Sequence, residues 1–406
     1  MTAQIKLKHS GGNGVIIEAP ASNPASDKTI TLPSNETGVF ATKDSANSLQ
    51  NVTGINGGQI SNRNLIINGA MMIAQRGTSS TTAGYKTVDR FNTGFANVDE
   101  APTFAQVDVT ADTDPWNAGF RKAFKVTNGN QTSGAGTGNY ILINYKIESR
   151  DIANSGWNYT DPNSYITFSY WVKSSVAQNF YVRVISDDAP KQRYAFETGT
   201  LTANTWTKIT KTIPGNSNLV FNDDNGIGIY FRFYLWRGTN HTDNAVNLNQ
   251  WESHSSSQNT PDQTSTWYET NDATFEMTGL QLEVGNVATK FEHKSFDEVR
   301  KQCSRYFQKA RGGVGAAGSS SQVNGVLIYE PMRTNPSLGK LGTTFQFGDM
   351  VDQGRSSSNT PTTFRNDGLH GHSSYALTGF SGMTTGEQMR DEGAGGDAAF
   401  TLDAEL

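Results

Sequence analysis

Cysteine is almost absent: Cys303 is the only one among 406 residues. Intrachain disulfides and cysteine-based zinc sites are thereby excluded, and the chain must tolerate a reducing cytoplasm while it folds. Charge is sparse as well. Asp, Glu, Lys and Arg make up 17%, against about 25% in an average soluble chain. A formal net charge of −5 without a basic stripe gives no electrostatic reason to bind nucleic acid or an anionic membrane. No apolar run approaches the roughly 18 residues of a membrane span, so no membrane insertion is expected. The stretch Met1–Gly14 lacks the apolar centre of a signal peptide. Nucleophile elbow, phosphate-binding loop and HExxH are all missing. No enzyme activity, catalytic residue or cofactor is expected.

What fills the gap is 41 glycines, with abundant Asn, Ser and Thr, and 21 Phe, 14 Tyr and 7 Trp. That mixture suits short strands, polar turns and aromatic sandwich cores. At about 100–200 residues per domain, two or three domains are expected. Before residue 60 only strand fragments occur: Ile5–Lys8, Gly14–Glu18, Thr29–Leu32 and Gly38–Ala41. Pieces this short need a partner or a three-fold axis to bury a core. Residues from Thr42 to Arg63 read as a polar linker.

From Val107 to Val284 the apolar period becomes two. Ile166, Phe168, Tyr170 and Val172 share one face, with Thr167, Ser169 and Trp171 on the other. Phe180, Val182 and Val184 alternate with Tyr181 and Arg183. Ile229, Phe231, Phe233 and Leu235 alternate with Tyr230, Arg232, Tyr234 and Trp236. Such strands have one face in a core and one in water. The phase slips at Gly279, which predicts a β-bulge. One helix is expected, opened by Ser295 and Glu298 as a capping box and continued by Phe296, Val299 and Cys303. Beyond the glycine-rich residues 312–321, strands are predicted at Gly325–Tyr329, Thr343–Phe347, Tyr375–Phe380 and Ala398–Leu406, with Ala398, Phe400, Leu402 and Ala404 on one face. The fold class is all-β. An N-terminal attachment segment of short strands (1–62) precedes a central antiparallel jelly-roll sandwich (63–294). A connecting helix (295–311) and a smaller C-terminal β domain (312–406) follow.

Three stretches are more specific than composition. The first is Thr29-Ile-Thr-Leu-Pro33 with Thr37-Gly-Val-Phe-Ala-Thr42. The second is Asn64-Leu-Ile-Ile-Asn-Gly-Ala-Met71, with Gln75-Arg-Gly-Thr-Ser79 and Val88-Asp-Arg-Phe91, which looks like an opening strand. The third is Gln281-Leu-Glu-Val-Gly285, with Thr289-Lys-Phe-Glu-His293 and Cys303-Ser-Arg-Tyr-Phe307. Together they resemble bacteriophage tail fibre and tail structural proteins whose jelly roll is similar to carbohydrate-binding modules. The resemblance covers residues 29–307 and more loosely the terminal Asp403–Leu406. It implies a virion tail protein, a homotrimer anchored to other tail proteins by its N-terminal segment. Host-surface glycan would be its receptor and host-cell attachment its role. A purely architectural appendage and a glycan-cleaving tail spike are the alternatives.

Candidate residues follow from chemistry. Sugar rings stack on outward-facing aromatics, which selects Trp251 in the polar segment Gly238–Gln263, and Trp157 with Tyr159 in Asn154–Asn163; long polar loops are usually functional. The competing reading tucks each indole over the sandwich edge as a lid. Arg365, His370, His372 and Tyr375 lie in a polar stretch suited to a distal tip or to trimer contacts. Asp223 and Asp224, within Asn222–Gly226, are a weak Ca²⁺ candidate. The ligand spacing of an EF-hand is missing and a plain turn is the simpler reading, so no metal is expected. Carboxylates sit mainly in turns, not as the spaced pair that glycan cleavage requires.

Overall fold

The computed structural model describes residues 4–8, 14–18, 42–43, 49–50, 62–310, 313–349, 354–391 and 399–406. The chain forms two compact units, Met1–Val52 and Thr53–Leu406. In the first, β1 (Gln4–Lys8) and β2 (Gly14–Glu18) form an antiparallel hairpin with Ile5 opposite Ile17 and Leu7 opposite Val15. A minimal pair, β3 (Thr42–Lys43) and β4 (Leu49–Gln50), follows. The strands expected at Thr29–Leu32 and Gly38–Ala41 lie outside the described residues.

The second unit opens with β5 (Ser79–Ser80), β6 (Phe91–Ala96), β7 (Thr103–Asp108), α1 (Asp114–Asn117) and β8 (Lys122–Thr127). Next come β9 (Tyr140–Glu148), α2 (Ser149–Ala153), β10 (Tyr165–Ser174), β11 (Asn179–Ser186) and β12 (Gln192–Thr200). The sandwich closes with β13 (Thr207–Pro214), β14 (Ile227–Arg237), β15 (Trp251–Ser253), α3 (Thr266–Glu269) and β16 (Thr274–Val284). Two antiparallel six-stranded sheets result. One runs β13-β10-β16-β8-β7-β5, the other β15-β12-β11-β14-β9-β6. The fold is an all-β jelly-roll-like sandwich, as the alternation predicts.

Inward residues of both sheets form one core, in which Phe168 lies 4.5 Å from Phe231 and Phe180 5.1 Å from Phe275, ring to ring. Burying a side chain of this size contributes about 1.5–3 kcal/mol. The bulge expected at Gly279 is present. Pairing steps from Ser169–Gln281 to Trp171–Thr278, leaving one extra residue on β16, and Gly279 has φ +67°. A Cβ there would stand 2.6 Å from the Phe120 ring. A second bulge corrects the expectation for Trp236. Pairing steps from Tyr234–Leu142 to Trp236–Ile141, and the slip turns Trp236 into the core, 5.4 Å from Tyr268.

The expected opening strand at Asn64–Met71 is not a strand. The segment is clipped to β16 by a side chain instead: Asn64 Nδ2 donates to Leu280 O, and Asn64 Oδ1 accepts from Leu282 N. Gly69 accepts from Leu280 N so closely that a Cβ would meet Leu280 O at 2.1 Å. Three one-turn helices, α1 to α3, were also not anticipated, because four or five residues are too few to show a period.

Past β16 comes α4 (Phe296–Ser304). Ser295 Oγ accepts from Glu298 N at 3.2 Å, the expected cap, and Val299 and Cys303 face Ile73 while Phe296 is exposed. The remaining strands are β17 (Phe307–Ala310), β18 (Val314–Ser319), β19 (Gln322–Ile328), β20 (Ser337–Leu341) and β21 (Phe345–Asp349). Then come β22 (Gly354–Ser357), β23 (Thr362–Asp367), β24 (His372–Thr378), β25 (Gln388–Asp391) and β26 (Ala399–Asp403). They make a three-stranded sheet, β17-β26-β20, and a seven-stranded one, β22-β21-β25-β18-β19-β24-β23. Phe345, Phe347, Tyr375 and Phe400 form their core. Phe400, Leu402 and Ala404 are buried, as expected, whereas Ala398 lies outside the described residues.

The landmark residues of the sequence resemblance meet where these strands join the sandwich. Arg90 is ion-paired with Glu405, and its guanidinium lies 3.3 Å from the Tyr306 ring centroid. Arg76 bonds Asp403 at 2.9 Å and lies 3.6 Å over Phe307. Arg305 holds the buried Glu148 through two bonds of 2.7 and 2.8 Å, and Tyr306 Oη donates to the same carboxylate at 2.6 Å. Burial alone would raise Glu148; these bonds and the nearby arginine charges override it and hold the carboxyl below its ordinary value.

Candidate functional site

As sugar-stacking candidates, Trp157 and Tyr159 would need rings open to solvent. Trp157 is instead 3% exposed in the sandwich core, with Tyr159 partly buried beside it. The Tyr159 ring stacks edge-on against Phe221 at 4.8 Å. The turn at Asn154–Asn163 folds them inward onto the core, where Trp157 and Tyr159 meet Phe221. Trp251 is partly exposed and sits on the edge strand β15, opposite Tyr194. Its Nε1 donates to Pro214 O at 2.7 Å, and its ring lies 5.4 Å from Tyr194. Pro214 ends β13 in one sheet and Tyr194 belongs to β12 in the other, so Trp251 bridges the open edge of the sandwich. That is the lid arrangement.

Asp223 and Asp224 form a turn. Asp223 has φ +54° and accepts from Asn154 Nδ2, while Asp224 Oδ1 accepts from Gly226 N. Among the described residues no group of three His, Cys, Asp or Glu is placed to hold a metal. Of the four distal candidates, Tyr375 is wholly buried between Phe347 and Phe400, so it cannot be a tip residue. His370 is exposed and bonded to Asp367 at 2.8 Å, and His372 is exposed at the start of β24. Arg365 lies on β23, and its side chain is outside the described residues.

The sandwich has two outer faces with different chemistry. On the β10–β16 sheet, the segment 285–294 straps across the strands. Glu283 accepts from Thr289 N at 2.8 Å and Thr289 Oγ1 at 2.7 Å, and Gln281 Oε1 accepts from Glu292 N at 2.8 Å. Beside the strap, Phe120, Trp171, Phe291 and His293 line a half-open slot of about 420 Å³, with Lys208 and Lys290 at its rim. Phe291 meets Phe120 edge-on at 4.8 Å, and His293 Nε2 is 2.9 Å from Ala118 O. Trp171 is partly exposed. A slot of this volume, aromatic with a few polar groups, has the dimensions of a small-ligand site. The alternation marks the Trp171 side only as a wetted face; the rest of the slot comes from Asn117, Ala118, Phe120, Lys208, Lys290, Phe291 and His293, on segments distant in sequence.

The other outer face, on β9, β14, β11 and β12, carries Tyr181, Arg183, Tyr230, Arg232 and Tyr234. The strand alternation already predicted these as outward, but not as a group. Arg183 is directly opposite Arg232, and Arg232 is opposite Asn144, whose Oδ1 accepts from Arg232 Nε at 2.7 Å.

No protein-family model matches the chain. No curated protein matches it either. The sandwich is similar, remotely, to solved carbohydrate-binding folds and to a phage tailspike domain. A putative sugar binding protein from Bacteroides thetaiotaomicron is 10% identical with a TM-score of 0.29, covering 55% of this chain and 100% of its own. The CBM22-1 xylan-binding domain of Paenibacillus barcinonensis Xyn10C is 10% identical with a TM-score of 0.24, covering 58% and 100%. The enzymatically active domain of tailspike protein 4 of bacteriophage CBA120 is 8% identical with a TM-score of 0.29. That match spans 54% of this chain and only 21% of the tailspike domain.

Proposed function

We propose that this chain is a structural subunit of a bacteriophage tail, a trimeric fibre or spike that recognises a glycan on the host surface. The observation that carries the reading is the slot beside Trp171. An indole partly open to solvent, flanked by Phe291 and His293 and rimmed by two lysines, offers a stacking face and hydrogen-bond donors together. The landmark motifs that resemble tail proteins supply the virion context, with the segment before residue 62 as the attachment end. In this reading the chain holds glycan without cutting it. Assembly of copies is supported by an outward apolar patch on the seven-stranded sheet. Val314 and Val326 are cross-strand partners and are 61% and 42% exposed, with Ile328 at 84% beside them. Isolated exposed apolar residues are ordinary, but a paired patch marks an interaction surface. Weak single-site sugar contacts gain avidity when three copies act together.

The test is a glycan array probed with the full-length protein and with Trp171→Ala and His293→Ala. The expected result is a glycan bound by the parent and at least tenfold more weakly by both variants, with the His293 variant folded normally. If the parent binds no glycan, the recognition role fails and the architectural alternative takes its place.

A further inference from the structure

The outer face of the sheet opposite the Trp171 slot carries more positive charge than its own carboxylates balance. Register places Arg183, Arg193, Arg232 and Lys146 on it, against Glu197 and Glu252, with Asp187, which Lys191 pairs, at its margin. Arg237 joins them at the end of β14, its guanidinium 4.8 Å from the Tyr140 ring centroid and 5.8 Å from that of Tyr234. Glu252 is taken by Arg193 at 2.9 Å, and Glu197 accepts from Asn179. Among the described residues no ion pair reaches Arg183, Arg232 or Arg237.

Three of these arginines are also buried: Arg183 is 1% exposed, Arg193 5% and Arg237 9%. Arg183 bonds Ser255 O at 3.0 Å and Asn259 Oδ1, but its Nε has no partner among the described residues, nor have Arg193 Nε and Nη1 or Arg237 Nε. A buried cation without a counter-charge is costly, and so are like charges placed opposite each other on neighbouring strands. The field is felt by the neighbours. Burial and then Arg183 and Lys191 lower His254, and burial and then Arg237 lower His241. Arg183 ties the loop at 255–259 to the sheet through Ser255 and Asn259, but an uncharged donor could do the same, so the loop contact gives no reason for the charge. An anionic ligand would offset it.

We infer that this face is a second binding surface, for an acidic polysaccharide, with the partly exposed Arg232 contacting the acid group and Tyr230 and Tyr181 lying alongside the sugar rings. The buried Arg183 and Arg237, which no carboxylate pairs among the described residues, act from behind by holding the local potential positive. Arg is suited to this because its planar fork matches carboxylate and phosphate oxygens. A polysaccharide fits better than a nucleic acid. Arg183 and Arg232 face each other as a pair and do not line a track for a backbone, and the chain as a whole carries a net charge of −5.

The experiment measures calorimetric binding of the full chain to four probes at 50 and 300 mM NaCl. They are polygalacturonate, the same polymer with its carboxyls reduced, poly(glycerol phosphate) and a single-stranded oligonucleotide. Binding to either acidic polymer, weakened several-fold by salt and at least tenfold by Arg232→Ala, supports the inference. Arg232→Lys should recover part of the loss, and the Arg232→Ala loss should persist in the Trp171→Ala background. Whichever acidic polymer binds more tightly identifies the acid as carboxylate or phosphate. Equal binding to the carboxyl-reduced polymer, an unchanged Arg232→Ala variant, stronger binding to the oligonucleotide, or no binding to either acidic polymer overturns it. Since the slot variant is measured in parallel, failure here is separate from failure of the glycan reading at Trp171.

Discussion

The two outer faces of the sandwich began from the same strand pattern and were finished differently. On the β10–β16 face the chain covers its own polar residues. Gln281 and Glu283 are 0% and 2% exposed, and each of their bonds to the strap satisfies a group that the strap itself buries. On the β11–β14 face the polar residues include arginines and tyrosines, bonded in part to the loop at 255–259, while the Nε of Arg183 has no partner among the described residues. The first face is satisfied internally and adds stability. The second retains unmatched charge, which stability alone does not explain. Polar residues at outward strand positions therefore carry different meanings according to whether their hydrogen-bonding capacity is filled.

Substitutions can break that comparison. Glu283→Ala should be the most damaging, costing about 3 kcal/mol because it orphans Thr289 N and removes the shortest bond of the Gln281 amide under the strap. Denaturant unfolding measures it, and a cost under 1 kcal/mol would mean that the strap contributes little. Glu148→Gln, where the sandwich meets the C-terminal strands, should cost about 2 kcal/mol at pH 7 by weakening bonds to Arg305 and Tyr306. Because Glu148 is held below its ordinary value, its contribution is complete above the unfolded carboxyl value of about 4.3 and lost as pH falls through the folded one. The melting-temperature gap between parent and variant should thus narrow as the pH is taken from 7 down below about 4.3.

Trp251→Ala tests the edge between the faces. Its partly exposed ring and single bond to Pro214 O predict a loss of about 1–2 kcal/mol, less than the ~3–5 kcal/mol of a fully buried Trp. An unchanged melting temperature would remove the lid assignment. Arg232→Ala should be smallest, within about 0.5 kcal/mol of the parent, since removing one of two facing like charges offsets the lost bond to Asn144. A large destabilisation there would show the open face to be structural after all.

Much of the architecture was legible because period two is a strong signal. The alternation in Ile166–Val172 and Ile229–Phe233, the bulge at Gly279 and the Ser295 cap all appear in the fold. Trp236 was misplaced because a bulge at Leu235 leaves no mark when the residues on both sides are apolar. Asn64 looked like part of a strand, yet its amide mimics the ladder it replaces, which composition cannot reveal. The site residues were harder. Trp157 and Tyr375 lie in stretches as polar as any loop, and their burial is decided by distant Phe221 and Phe400. The slot at Trp171 assembles from segments that only the fold brings together.

The pairing of Arg90 with Glu405 also fixes an order of events. These residues are 315 positions apart, so on a ribosome Arg90 emerges long before its carboxylate exists. Contacts of such separation form late, after the loop-closure entropy has been met by nearer pairings. Until then the guanidinium beside Tyr145 and Tyr306 has no counter-charge, and the sandwich must persist without its final lock. The nascent chain is therefore most open to misassembly or proteolysis in the interval between finishing β16 and docking Asp403–Leu406.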